Sequence, residues 1–463
     1  MPTKLIQLEF NELSPLLMDR FIAQGHLPNF QRLREASQVF VTDAGEDPPN
    51  LEPWIQWVTA HTGLPYAEHK VFDLGDGHKL NAPRVWDIAG ETGAKVWICG
   101  SMNASFRKPI QGFILPDPWT TGIKPYPEGE FEPFFHFVRT HVQEHTRAES
   151  PLGKGDQLRF IAFMVKRGMS AETVGRIIQQ LREERSGAGR WKRAAILDRL
   201  MWDVFAWYWR AHQPVFSTFF LNSTAHFQHM YWRNMDPAAF AVKPSQAEQD
   251  EYADAVLFGY QQMDALVGKC LELAGPNTVV TLATALSQQA CLKYEDTGGK
   301  IFHRPLDPQR LFEFSGITAR PEYAPVMSEQ FHLYFQNAAA AADAVAKLQA
   351  LRTGGQPVME ARGNGSEVFA GCRLFTPVEP AAPVTNAAGQ SRRFADLFYN
   401  CNLVKSGMHH RDGIFWMRVP GMPAQVHSGH VDLTRVAPTL LSAMGYRQPD
   451  FLRAETLLAG AYA

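Results

Sequence analysis

The pattern of apolar and polar positions opens on a short, mostly apolar run at residues 4–10, which predicts a first core strand. Over 14–36, Leu16, Leu17, Phe21 and Ile22, then Leu27, Phe30 and Leu33, recur at helical spacing, with Pro28 marking a break or a new first turn. Turn chemistry is dense at Asp47-Pro48-Pro49-Asn50. Residues 54–61 read as a short helix, with Pro53 suited to its first position. A helix at 84–91 and a strand at 95–99 follow. Residues 116–155 are rich in Pro, Gly and aromatics without a sustained period, which predicts an insertion over the core. The stretch 170–209 is helix-rich, on the series Leu197, Leu200, Met201, Val204, Phe205, Tyr208. The aromatic run 205–209 reads as core. Residues 215–221 and 278–284 read as buried strands, and 248–274 as one long helix.

The character changes over 293–400. A strand at 330–335, an alanine-rich helix at 338–351 ended by Gly354-Gly355, and further strand-like sequence predict a small α+β cap inserted into the main domain. The core pattern then resumes, with a strand at 413–417 and a last helix at 433–444. The expected organisation is a core of residues 1–292 and 401–463, carrying a helical or irregular insertion at about 116–200, with the cap at 293–400. Strands alternating with helices predict an α/β fold, a mostly parallel central sheet with helices on both faces.

Composition narrows the function classes. Over 463 residues, 45% are hydrophobic and 20% charged, and 11 are Trp, which suits a well-packed interior or an aromatic-lined cleft. The net charge of −2 gives no support to nucleic acid or an anionic membrane as partner, and the run Arg190-Trp191-Lys192-Arg193 reads as a solvated helix face. Cys99, Cys270, Cys291, Cys372 and Cys401 are scattered and odd in number, against a disulfide framework or a thiolate zinc site. No charged-then-apolar leader and no run of membrane-spanning length appear, so a cytoplasmic protein acting on a small molecule is expected, with oligomeric state left open.

Four segments in order resemble the alkaline phosphatase superfamily, most closely its phosphodiesterase and nucleotide-pyrophosphatase branch. Gly25-His26-Leu27-Pro28-Asn29-Phe30-Gln31-Arg32-Leu33 resembles that family's G-x-L-P-N segment. Pro53-Trp54 through Thr62-Gly63-Leu64, with His69-Lys70-Val71-Phe72, resembles the nucleophile helix and its continuation. Phe219-Phe220-Leu221 followed by Asn222-Ser223-Thr224-Ala225-His226 resembles the D-x-x-x-H metal segment. Gly407 to Phe415, with Ala437-Pro438-Thr439-Leu440-Leu441, resembles the late metal histidine and the closing helix.

The resemblance implies hydrolysis of phosphate or sulfate esters, usually with two metals and a Ser or Thr nucleophile at a helix N-terminus. Here most of the ligand charge is replaced. Asn11 falls at the first-strand aspartate, flanked by Glu9 and Glu12. Glu52 or Pro53 falls at the nucleophile, with Asn50 just before. Asn222 takes the aspartate of D-x-x-x-H, whose histidine is His226, with His229 three residues on. Thr284 to Ser287 replaces the adjacent Asp-His pair, and His409 is the late histidine, with His410 beside it. Asn keeps the shape of Asp without the charge that offsets a cation, so a full two-metal site is not expected.

The expected catalytic set is Glu52, Glu9, His226 and His409, and the expected ligands of a single metal are Glu9, His226 and His409. Asn11, Asn50, Asn222, His229, Gln288, Gln289 and His410 are the expected substrate-binding residues. The cofactor is either one divalent ion (zinc, manganese or iron) or none. The expected function is an enzyme with a rebuilt site, hydrolysing or transferring a phosphoryl- or sulfuryl-bearing group on a nucleotide- or sugar-linked substrate. Glycosyl or other group transfer by acid/base residues, and a non-catalytic binding or scaffold role, stand as alternatives.

Overall fold

The computed structural model describes residues 2–120, 122–143, 152–185, 187, 189–326, 329–400 and 404–458. Cys401 lies outside the described residues, among which the other four cysteines are buried thiols outside any disulfide. The expected first strand forms as β1, Leu5–Phe10, every residue buried. With β2 (Gln38–Asp43), β3 (Val96–Cys99), β4 (Gly112–Leu115), β5 (Phe216–Leu221), β6 (Val279–Ala283) and the strands Asp412–Arg418 and Gln425–Asp432 it builds one eight-stranded sheet. The order is Gln425–Asp432, β2, Asp412–Arg418, β6, β1, β5, β3, β4. All neighbours run parallel except Asp412–Arg418, which is antiparallel to both β2 and β6. This is the mostly parallel α/β sheet that alternating strands and helices predict.

The two faces of β1 divide the interior. Ile6, Leu8 and Phe10 join one core with Phe219, Leu282 and the helix residues Phe205, Tyr260 and Val267. Leu5 faces a second core with Trp57, Trp86, Phe216 and Leu440. The remaining positions on that face are polar: Gln7, Glu9 and Asn11, all 0% exposed. Strand alternation thus lays a buried polar row beneath the helix Pro53–Thr62.

Within residues 116–155 the helix Glu132–Gln143 forms, with Phe134 and Val138 buried. One expectation needs correcting. Residues 248–274 form two helices. The first, Gln246–Tyr252, starts at a Ser245–Glu248 capping box and buries nothing. The second, Ala255–Ala274, buries Val256, Tyr260, Met263 and Val267. Among the described residues no helix is long and apolar enough to cross a membrane.

Residues 311–398 gather a core of their own, including Phe331, Leu333, Ala344, Leu348 and Val368. It lies between the helix Ala338–Gln349 and an antiparallel sheet ordered Met359–Asn364, Glu367–Cys372, Gln330–Tyr334, Glu322–Pro325. On the main domain, Arg362 from this cap sits 5.2 Å from the Phe72 ring and 3.6 Å from Asp73. The connections into and out of the cap run side by side, with His303–Pro305 paired antiparallel to Phe398–Asn400. Below them β7 (Ser287–Ala290) pairs with Gly407–His410.

Candidate active site

The site lies beyond the carboxyl ends of β1, β5 and β6, where parallel sheets place ligands. Asn11 follows β1 and its N–H donates to Leu221 O at the end of β5 (2.9 Å). Asn222 follows β5 and precedes the helix Ser223–Met235. Asn11 Nδ2 donates to Asn222 Oδ1 (2.7 Å) and to Glu12 Oε1 (2.8 Å), while Trp57 Nε1 donates to Asn11 Oδ1 (2.8 Å).

Glu12, 3% exposed, is the centre of the arrangement. Its backbone takes φ +61°, the left-handed region that non-Gly residues seldom occupy. Gln228 Nε2 donates to its carbonyl oxygen at 2.7 Å, and Tyr260 in turn donates to Gln228 Oε1 at 2.9 Å. Glu12 Oε2 lies 3.0 Å from His229 Nε2, 3.4 Å from His409 Nε2, and accepts from Gln288 Nε2 at 2.6 Å.

Both histidines are oriented from behind. His229 Nδ1 is 3.0 Å from Gly407 O, and His409 Nδ1 is 2.9 Å from Leu51 O. A carbonyl only accepts, so each Nδ1 carries the proton and each Nε2 turns to Glu12. The ligand atoms of Glu12, His229 and His409 all lie within 4.8 Å of one another. Two imidazoles held by carbonyls and one carboxylate fit a divalent transition metal with open positions.

Burial works against an ionised Glu12, but His409 and His229 outweigh it and hold the carboxylate well below its usual range. Burial also disfavours the His409 cation, yet Glu12 and Glu52 lift that ring above the ordinary imidazole value. Burial pushes His229 down in spite of Glu12. Of the two rings, His409 therefore holds a second proton more readily than His229. Glu52, at the N-cap of Pro53–Thr62, has Oε2 3.4 Å from His409 Nδ1. Burial, with Glu12 adding, raises its pKa, while His409, Lys405 and Lys300 counter.

The expected residues divide accordingly. His409, His229, Glu52, Asn11, Asn222 and Gln288 converge. Glu9 does not join the metal-ligand group. It sits in the polar row of β1, with Oε1 2.7 Å from His61 Nε2 and Oε2 accepting from Ser101 Oγ at 2.6 Å. Alternation along β1 turns it under the helix rather than into the cleft. His226 lies on the helix of His229, three residues earlier, and is outside the ligand group, whose carboxylate is Glu12. Strand alternation also separates His409 from His410 and buried Gln288 from exposed Gln289. His410 turns to Asp412, whose N–H it accepts at 3.2 Å. Asn50 Nδ2 donates to Glu46 at 3.2 Å and its carbonyl accepts from Gln56.

No protein-family model matches the chain, and no curated protein matches it. Several solved structures are similar over nearly the whole length at low identity. Wild-type alkaline phosphatase PafA is 12% identical, with 99% of this chain and 98% of that chain covered and a TM-score of 0.46. Phosphonoacetate hydrolase from Sinorhizobium meliloti 1021, in complex with phosphonoformate, is 12% identical, with 96% of both chains covered and a TM-score of 0.42. Murine ectonucleotide pyrophosphatase/phosphodiesterase 5 is 10% identical, with 96% of both covered and a TM-score of 0.39. These are members of the alkaline phosphatase superfamily, the family that the four sequence segments resemble.

Proposed function

We propose that this chain is a hydrolase of phosphoryl- or sulfuryl-bearing small molecules that works with one metal ion and no covalent intermediate. The observation that carries the reading is the Glu12–His229–His409 group, oriented through Nδ1 by carbonyls and facing Glu52 at the place where a Ser or Thr nucleophile would stand. Glu12, His229 and His409 would hold a divalent ion, zinc, manganese or iron. The ion would supply Lewis acidity to a phosphoryl or sulfuryl oxygen.

The chain's own groups supply the rest. Glu52 accepts a proton from the attacking water, a role helped by its raised affinity for protons. Its carboxylate is partly open, with 30% of the side chain exposed, so water reaches it. Asn11 and Gln288 fix the two oxygens of Glu12 and keep it from turning toward the substrate. No step needs a Ser or Thr nucleophile, and none stands at the start of Pro53–Thr62.

The experiment is metal analysis of purified protein, followed by turnover of aryl phosphate monoesters and diesters, aryl sulfates and phosphonates by zinc-, manganese- and iron-loaded samples. Glu52→Gln is expected to keep the metal and to lose about 10²–10⁴-fold in kcat. Glu12→Gln is expected to lose the metal. A loaded wild-type protein that turns over none of these classes would remove the hydrolase reading. Burst release of one equivalent of phenol would remove the single-step part.

A further inference from the structure

Above the ligand group, the two connections to the cap form a narrow stalk. His303–Pro305 pairs with Phe398–Asn400 at its upper end, and Lys300 and Lys405 form an isolated antiparallel bridge lower down. Lys405 N–H donates to Lys300 O at 2.8 Å. Ser406 N–H donates to His229 O at 2.8 Å, and Gly407 then starts the strand of His409. The stalk is therefore continuous with the site.

The backbone pairing sets two lysines side by side. Lys300 Nζ lies 4.3 Å from the centre of the Phe375 ring and 5.1 Å from that of Phe302, and Lys405 Nζ lies 5.7 Å from Phe302. Both side chains are half-buried, and among the described residues neither ammonium forms an ion pair or a hydrogen bond. Burial, together with Lys405, pushes the Lys300 ammonium down from its ordinary value, against a pull from Glu329. Both lysines act on Glu52, and Lys405 also acts on His229 and His409, so their field falls on the site itself.

Two half-buried like charges held together without a direct ion pair weaken the fold. Aromatic faces relieve them only in part, because a ring quadrupole is a weak substitute for a carboxylate. In the cap, Arg393 is paired with Asp396 and Lys347 with Asp343. The stalk pair instead leaves its positive potential turned to the cleft.

We propose that Lys300 and Lys405 form a substrate-anion receptor in the cap stalk, which takes an oxyanion group (phosphoryl, phosphonyl, sulfuryl or carboxylate) of the small molecule presented to Glu52 and the Glu12–His229–His409 group. The assignment of that molecule as substrate rests on the reading above. One lysine lies on the chain entering the cap and the other on the chain leaving it. A bound oxyanion therefore also ties the two strands of the stalk together.

The test is calorimetric titration of the full-length protein at low salt with inorganic phosphate, sulfate and malonate, which need no turnover. Wild type is expected to bind at least one. Lys300→Gln or Lys405→Gln should weaken it about tenfold each and the double variant about a hundredfold, while the cap control Lys347→Gln, whose partner is Asp343, binds as wild type does. The melting temperature of Lys300→Gln should equal or exceed that of wild type, since a repulsion is removed. On folded wild-type protein, a saturating anion should protect Lys300 and Lys405 from acetylation, read by mass spectrometry. That arm stands even if a variant fails to fold. The proposal is overturned if wild type binds none of the three anions, if the double variant binds as tightly, if Lys347→Gln loses binding equally, or if the two lysines gain no protection. A protein that binds anions through these lysines but hydrolyses no ester would keep this proposal and sink the hydrolase reading.

Discussion

Gly407→Ala tests whether the backbone behind His229 sets the metal site. A Cβ built on Gly407 would run into Gln288 Oε1 and would lie 2.5 Å from the carbonyl oxygen of Gln228, where ordinary contact starts at 3.4 Å. The Gln228 carbonyl is backbone in a packed helix and cannot swing aside as a side chain would. The strand Gly407–His410 must therefore shift by about an ångström, or the helix Ser223–Met235 must, and overpacking of this kind costs about 1–3 kcal/mol. The same shift carries Gly407 O away from His229 Nδ1, now 3.0 Å apart, and out of hydrogen-bond range. Loss of such an orienting contact lowers metal affinity about 10–100-fold. Chemical denaturation of the metal-free protein reads the first effect, and zinc competition against a chromophoric chelator reads the second. Gly363→Ala is the control, because its nearest neighbour stands at an ordinary 3.5 Å. A variant that loses stability but keeps wild-type zinc affinity would refute the link through the Gly407 carbonyl, and one that loses neither would refute the packing argument as well.

Three further outcomes follow from the same geometry. His229→Ala should abolish stoichiometric zinc binding, while His226→Ala, one turn away, should retain it; equal loss in both would mean that the ligand group is drawn wrongly, and metal analysis decides. Glu9→Ala should leave metal content unchanged but destabilise the fold by about 3 kcal/mol or more, since it strands the buried partners His61 and Ser101, which denaturation measures. Asp117, buried and accepting from the N–H groups of Trp119 and Thr120, has its pKa pushed up by burial to about 7. Its proton is held by the folded state and released by the unfolded one between about pH 4 and 7, so wild type loses stability over that window and Asp117→Asn does not. The difference approaches an upper bound of about 4 kcal/mol above pH 7, and parallel denaturation curves at pH 4 and 8 would show no divergence if the reasoning failed.

The sequence carried the architecture wherever periodicity and burial agree. The run 4–10 and the proline-started helices at 28 and 53 appear where their patterns place them. The edge strand Gln425–Asp432 was not legible, since it is mostly polar and largely exposed, with no alternation to mark it. The site shows a finer limit. Asn11, Asn222 and His409 lie on strand ends whose direction the core pattern determines. Glu12 differs from Glu9 only by lying past the end of β1, where a left-handed φ swings it into the cleft, and nothing in the residues around it announces that turn. Likewise His226 and His229 are three apart on one helix, and which one meets Glu12 depends on how that helix docks on Gly407 and Ser406, a long-range fact. Lys300 and Lys405 are brought together only by the pairing of the cap stalk.

The asparagines order the pocket around one carboxylate. Trp57 Nε1 is a donor only, so the Asn11 atom it meets must be the oxygen, and the Asn11 amide nitrogen must face Glu12 and Asn222. Both of those contacts are acceptors, so this orientation is forced by chemistry. Gln288 is fixed in the same way, since its Nε2 meets two acceptors, Glu12 Oε2 and Ala225 O. An aspartate at position 11 would replace the donor by a carboxylate facing Glu12 Oε1 and Asn222 Oδ1, and it would set three acceptors against one another until a second cation arrived. With asparagine, one oxygen of Glu12 is tied by an amide, and the other is left to Gln288, His229 and His409. Among the described residues, carboxylate charge beside His409 comes from Glu12 and Glu52, which matches the charge of a single divalent ion. The amides at 11 and 222 are therefore part of the wiring that holds the Glu12 carboxylate in place, and an aspartate at 11 would leave Glu12 without one of the donors that position it.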